Sequence, residues 1–464
     1  MILPLTQGYQ TAMALCNRHR TDVTQRNTNA GNTRNLETDM SLLADMLATV
    51  FDRRAARITT RAYDGRPLEE MAEALIVTSS ETQVHGLASA ILTRFASLSD
   101  EQKLGFFRHL STGMDIDPAA VRIALDAYEA TPSKATYRAF MAAAEPRRQE
   151  FVRRLNQVPN ATAALVQMRA DLLRLGRNDA TLAALDLDFR HLFASWFNRG
   201  FLVLRPISWE SPAHILEKVI AYEAVHEIQS WDDLRRRLEP ADRRCFAFFH
   251  PSMPDEPLIF VEVALTKGRA SSIQSLLSES RVPIAANDAD TAVFYSISNC
   301  QPGLAQISFG SSLIKQVATD LAAELDGLKT FVTLSPIPGF RKWSEQTGTP
   351  WQIDHAEHMR RLAAHYLVNA KREDGLPYDP VARFHLGNGA VISDIYATAD
   401  SSEKGLSQSG GVMVSYFYDL AKATTNQENY IAKRQVKTSP AVKTLAAAAA
   451  AAEKSKTKEE PAKA

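Results

Sequence analysis

The chain changes character near Gly200. Before that point its apolar residues recur at helical spacing. After it they come in short runs rich in Val, Ile, Phe and Tyr. Leu165, Met168, Leu172 and Leu175 fall at i, i+3, i+7 and i+10, one face of a helix. Leu182, Leu185, Phe189, Leu192, Phe193 and Trp196 continue the pattern past a break at Gly176. Ser99 or Asp100 ahead of an apolar run marks one helix start, and Pro132 after Thr131 another. No alternating strand pattern occurs between about Met40 and Phe197. That stretch is predicted to be an all-helical domain, suited to packing and oligomer assembly.

The second half reads as α+β. "FLVLRPI", Pro257 to Leu265, Ala292 to Ser298, Thr330 to Ser335, "AVISDIYATA" and "VMVSYFYDL" are predicted strands. A helix is predicted from about Pro212 to His226. Another carries Leu313, Val317, Leu321 and Leu325 on one face, with Gly327 placed as its C-terminal cap. Strand, loop, helix and strand in that order form a βαβ-like crossover. The flanks differ from both halves. Met1 to Asp39 is polar without a lasting period and is expected to be disordered or loosely attached. Ala446 to Ala452 are all alanine and run into a Lys/Glu segment, expected as a frayed helix or disordered tail. The predicted division is therefore a polar segment 1–39, a helical domain 40–197, a mixed domain 198–440 and a tail 441–464.

Charge narrows the function. Lys plus Arg and Asp plus Glu both number 53, so the formal net charge is zero. That balance argues against a general nucleic-acid binder, whose affinity rests on a basic surface. No run of about 18 apolar residues exists to cross a membrane. Cys16, Cys245 and Cys300 are too few and too scattered for a disulfide framework or a CxxC metal site, which fits a reducing, cytoplasmic setting.

Several clusters could carry chemistry. The loop "NCQPGLAQISFGSS" leads from a strand into a helix. It is either a tight turn or a cradle for an anion, since helix N-termini present unpaired N–H groups. Gly303 and Gly310 would let the backbone approach a ligand, and Ser308, Ser311 and Ser312 would add hydroxyls. Ser335 ends a strand just before Pro336 and Pro338, which makes it a simple turn residue or a firmly held hydroxyl. His385, 50 residues later, lies between Phe384 and Leu386 near another predicted strand edge. It is a core histidine or an imidazole partner for Ser335. His355, His358 and His365 read as a solvated helix face rather than metal ligands, beside Arg360 and Arg361. The charged run Asp232 to Arg244 reads as a solvated helix, with Asp232 and Asp233 early and the arginines late. The sharper alternative for it is an arginine set near an anionic ligand or subunit contact.

Five blocks in order, from about Asp242 to Leu420, resemble the malonyl-CoA decarboxylase family. They are "DRRCFAFFHPSMPDEPLIFVEVALT", "FYSISNCQPGLAQISFGSSLIKQV", "FVTLSPIPGF", "ARFHLGNGA" and "QSGGVMVSYFYDL". The resemblance implies a helical bundle domain followed by a catalytic domain of GNAT acetyltransferase type. It implies conversion of malonyl-CoA to acetyl-CoA and CO₂, with Ser335 and His385 catalytic. It places the CoA pyrophosphate at Ala305, Gln306, Ile307, Ser308, Phe309, Gly310 and Ser311. Asn388 and Tyr418 join the substrate site. Gln306 departs from the family, which often has glycine there. No metal or cofactor is expected, because the thioester carbonyl is itself the electron sink. The expected partner is malonyl-CoA, with neither nucleic acid nor membrane, in a homodimer or homotetramer. A positive field is expected near Ala305 to Ser311. Competing readings are an acyl-CoA N-acyltransferase of the same fold and an inactive CoA-binding protein.

Overall fold

A computed structural model describes residues 65–307 and 313–459. The chain before Gly200 is helical. Among the described residues, eight α-helices run from Leu68–Val77 to Ala183–Trp196 and no strand precedes Val203. Local signals explain their ends. Ser99 caps Asp100–Gly113 through a reciprocal pair with Gln102, and Ser133 caps Lys134–Ala144 through one with Thr136. The cap at Ser133 places that helix start two residues beyond Pro132. Asp117 accepts from the Ala119 and Ala120 N–H groups ahead of Pro118–Ala130. Phe95, Phe106, Phe107 and Phe151 meet edge-on or tilted at the bundle's centre. Pro118–Ala130 and Lys134–Ala144 bury no residue.

The chain beyond Gly200 builds a mixed sheet, with eight strands among the described residues. They are β1 (Val203–Ile207), β2 (Arg243–Phe249), β3 (Ile259–Thr266), β4 (Thr291–Asn299), β5 (Thr330–Thr333), β6 (Ser335–Pro336), β7 (Val391–Tyr396) and β8 (Met413–Phe417). The order is β1-β2-β3-β4-β5-β8-β6, with β7 also paired to β8. Of these strands only β4 and β5 run parallel, joined through helix Leu313–Glu324 as the crossover predicts. The predicted helix from Pro212 ends earlier than expected, at Tyr222.

One irregularity decides where a ligand can enter. β5 follows β4 only as far as Phe294, opposite Thr333, and the Leu334 N–H still reaches the Phe294 carbonyl at 3.0 Å. Beyond that, β4 continues to Asn299 alongside β3 alone. The departing chain turns away as β6, where Ser335 pairs with Val414 of β8. The sheet is thereby split at the end of β5, and Ser335 stands on one lip of the opening.

Two expectations fail. The charged helix Trp231–Leu238 is not wholly solvated. Arg237 is buried, and its guanidinium meets Asp233 at 3.1 Å, Glu262 of β3 at 3.3 Å and the carbonyls of His226 and Glu227. Its donors are spent inside the fold, on Asp233, Glu262 and two backbone carbonyls beneath the sheet. The alanine run is not a loose tail. It belongs to helix Pro440–Glu459, which packs on helix Ala356–Val368 and buries Val442 and Ala446. Small side chains let the two helices approach closely. The polar segment 1–39 lies outside the described residues.

Candidate active site

The rigid exit from β5 fixes Ser335. Its hydroxyl donates to Thr333 Oγ1 at 2.8 Å, and the Tyr416 backbone N–H donates to the same oxygen at 3.2 Å. Ser335 Oγ lies 3.2 Å from His385 Nε2. Tyr418 Oη lies 2.8 Å from the other ring nitrogen, Nδ1. With the serine proton given to Thr333, donor arithmetic puts the imidazole proton on Nε2 and leaves Nδ1 to accept from Tyr418. The Tyr416 ring stacks on the imidazole at 4.3 Å. His385 is buried, and burial alone drives its pKa down to about 3, so the ring is neutral.

His385 reaches this position from a helix, not from the strand edge expected. Helix Pro380–Gly387 starts on Asp379, whose carboxylate accepts from the Ala382 N–H at 2.7 Å, with Pro380 at its first position. Burial raises the Asp379 pKa to about 6. Asn388 closes the helix: its side-chain amide donates to the Phe384 carbonyl. Tyr418 holds the ring nitrogen that faces away from Ser335. Neither Asn388 nor Tyr418 is among the residues around the cavity.

Ser335 and His385 open on a cavity of about 240 Å³ in the split of the sheet. Phe294, Ile297, Pro336 and Phe384 make its wall largely apolar, and Asn299 adds an amide. Thr333 and Tyr416 were not among the expected site residues. Their signal was period two: Thr333 and Ser335 share a strand face, as do Tyr416 and Tyr418.

The loop after β4 is held by the helical region as well as by the sheet. Arg169, on helix Ala161–Leu175, is fully buried and donates to the carbonyls of Gly303 at 2.6 Å and Ala305 at 2.9 Å. The close approach at Gly303 is to the helix rather than to a ligand. A Cβ there would stand 1.8 Å from the Val166 carbonyl oxygen. Gln306 occupies the left-handed region at φ 65°, which explains why glycine suits this position. Gln306 and Ile307 border a second cavity. Ser308, Phe309, Gly310 and Ser311 lie outside the described residues. The three histidines near residue 360 stand as expected on and just before helix Ala356–Val368, with His355 as its cap.

A family model described as the malonyl-CoA decarboxylase C-terminal domain matches residues 200–356 and 352–458. One described as the malonyl-CoA decarboxylase N-terminal domain matches residues 115–197. The chain belongs to the malonyl-CoA decarboxylase family. The mitochondrial malonyl-CoA decarboxylase of Anser anser anser is 34% identical over 354 residues, 64% of this chain and 69% of that protein. Solved malonyl-CoA decarboxylases from Rhodopseudomonas palustris and Agrobacterium vitis each superpose with a TM-score of 0.77. They are 46% and 47% identical, covering 81% and 82% of this chain and 98% and 99% of theirs. Within this member of the malonyl-CoA decarboxylase family, the seating of Gly303 on backbone gives a direct test. Gly303→Ala has no flexible side chain to displace and is expected to cost about 1–3 kcal/mol. Urea unfolding at unchanged m-value measures it, and a wild-type midpoint would refute it.

Proposed function

We propose that this chain converts malonyl-CoA to acetyl-CoA and CO₂. One observation carries the reading: a neutral, buried imidazole and a fixed serine hydroxyl share the wall of a single apolar cavity. Membership of the malonyl-CoA decarboxylase family supports it.

The chemistry asks little else. The bond between the carboxyl and methylene carbons breaks, and its electron pair forms the enolate of the acetyl thioester. One proton must then reach the methylene carbon. Ser335 would position the malonyl end. His385 would face the enolate with Nε2, the nitrogen that carries the proton. An entering carboxylate counters the desolvation that holds the ring neutral, so a proton taken up with substrate is available for delivery. Preorganised donors at a developing oxyanion are typically worth about 10²–10³ in rate.

Incubation with malonyl-CoA and no amine tests the reading. Acetyl-CoA and CO₂ are expected in equal amounts. Thioester binding without CO₂ release would leave an inactive binder, and turnover only with an amine would point to acyl transfer. The pH profile adds a second check. In the free protein His385 is neutral at any pH above about 3. The profile of kcat/KM is therefore expected to lack the limb near pH 6.5 that a solvated histidine gives. A homodimer or homotetramer belongs to the same reading. It is supported by Ile123, Tyr137 and Met141, exposed on the two helices that bury nothing, and is measured by light scattering.

A further inference from the structure

The second cavity, about 440 Å³, lies where the helical region meets the loop after β4. Leu187, Arg190, His191 and Ala194 stand at i, i+3, i+4 and i+7 on helix Ala183–Trp196. They form its outer stripe, while Leu185, Phe189, Leu192 and Phe193 bury the other face. Asn198 and Arg199 extend the wall, and Gln306 and Ile307 close it opposite.

The charge here is unspent. Several arginines of the helical region are tied to carboxylates, as Arg148, Arg153, Arg154, Arg169 and Arg174 are. Among the described residues, neither Arg190 nor Arg199 meets a carboxylate. Lys315, on the helix that follows the loop, is not part of the wall and donates to Gln427 at 2.7 Å, but it lies near enough to Arg199 to feel its charge. Burial, and then the nearby Arg199 charge, push its ammonium below the ordinary range.

The position relates this cavity to the first. Asn299 borders the Ser335–His385 cavity and Gln306 the second one, seven residues on. Seven residues span at most about 25 Å. A CoA thioester whose acyl end lies at Ser335 must carry its polyanionic nucleotide end outward past this loop. This step rests on the malonyl-CoA reading above.

We propose that Arg190 and Arg199 bind the 3′-phosphate of the CoA nucleotide, so that the helices form a wall of the substrate site. Guanidinium groups suit a phosphomonoester because they can donate two parallel N–H bonds to its oxygens. Gln306 offers an amide beside them, which gives the side chain at this left-handed position a use.

Calorimetry with free CoA and with dephospho-CoA, which lacks only the 3′-phosphate, tests this. Wild-type protein is expected to bind CoA about ten- to hundred-fold more tightly than dephospho-CoA. The double variant Arg190→Gln/Arg199→Gln, with helicity checked by circular dichroism, is expected to bind both alike, at the wild-type level for dephospho-CoA. Absence of discrimination in the wild type, discrimination retained in the variant, or equal loss for both ligands would each overturn the proposal. Discrimination without CO₂ release from malonyl-CoA would leave this site standing and remove the decarboxylase reading instead.

Discussion

His385→Asn is expected to lower kcat for CO₂ release from malonyl-CoA by about 10²–10⁴, the usual worth of a positioned acid or base. Asparagine fits the volume but carries no proton that titrates, and it cannot bridge Ser335 and Tyr418. Ser335→Ala is expected to fall by about 10²–10³. The double variant is the sharper measurement. Because Thr333, Ser335, His385 and Tyr418 form one hydrogen-bonded run, the two losses are not expected to add. A double variant little worse than His385→Asn alone indicates a unit; fully multiplied losses would show two independent roles. Near-wild-type turnover by either folded single variant would remove the assignment.

Arg237→Met is expected to destabilise the fold by about 3–5 kcal/mol, the cost of stripping one partner from a buried charge set. The loss is not a matter of one ion pair. Arg237 also satisfies the carbonyls of His226 and Glu227. Its two carboxylate neighbours differ. Asp233 makes two contacts with the guanidinium, at 3.2 and 3.1 Å. Glu262 makes one at 3.3 Å, and its other oxygen has no partner. Burial, reinforced by the nearby Glu223, raises the Glu262 pKa to about 8. Glu262 is therefore largely protonated at neutral pH, and Asp233 supplies the balancing charge. The folded state then binds a proton that the unfolded state releases above about 4.5. Stability should fall as pH rises from about 4.5 through 8. Glu262→Gln, which mimics the protonated form, is expected to flatten that slope at little cost near pH 7. Chemical denaturation at pH 5, 7 and 8.5 measures both effects. A Glu262→Gln variant as damaged as Arg237→Met would mean that the carboxylate is charged.

Much of this site is legible in the chain. The prolines after Ser335 announce a rigid exit from a strand, and the structure uses them that way. Periodicity places the crossover helix between β4 and β5. His385 reads as a strand-edge residue because Asn388 and Gly389 look like a hairpin turn. The better signal is Asp379 followed by Pro380, a cap and first helical position, which outweighs a turn signal that follows the helix. Gly303 is legible as a close approach, but its neighbour is not. Val166 lies 137 residues earlier, and local pattern carries no information about such a meeting. The same holds for Arg190 and Arg199. Their helix face looks like any solvated stripe until the loop after β4 is set against it. Arg237 misleads for a related reason: a cation-rich helix signals exposure, while burial is decided by a glutamate on β3.

The contact between Arg169 and two loop carbonyls bears on how such an enzyme can be divided. A polypeptide begun at Gly200 would keep Ser335, His385 and the whole sheet. It would lose the guanidinium that ties down Gly303 and Ala305, and the helix turn on which Gly303 rests. Two carbonyls would be left without their donor, and the start of the loop after β4 would lose its tie to the helical region. The helical region thus sets the shape of the loop after β4, and a truncation at Gly200 is expected to change that loop while leaving the sheet's own strand pairing in place.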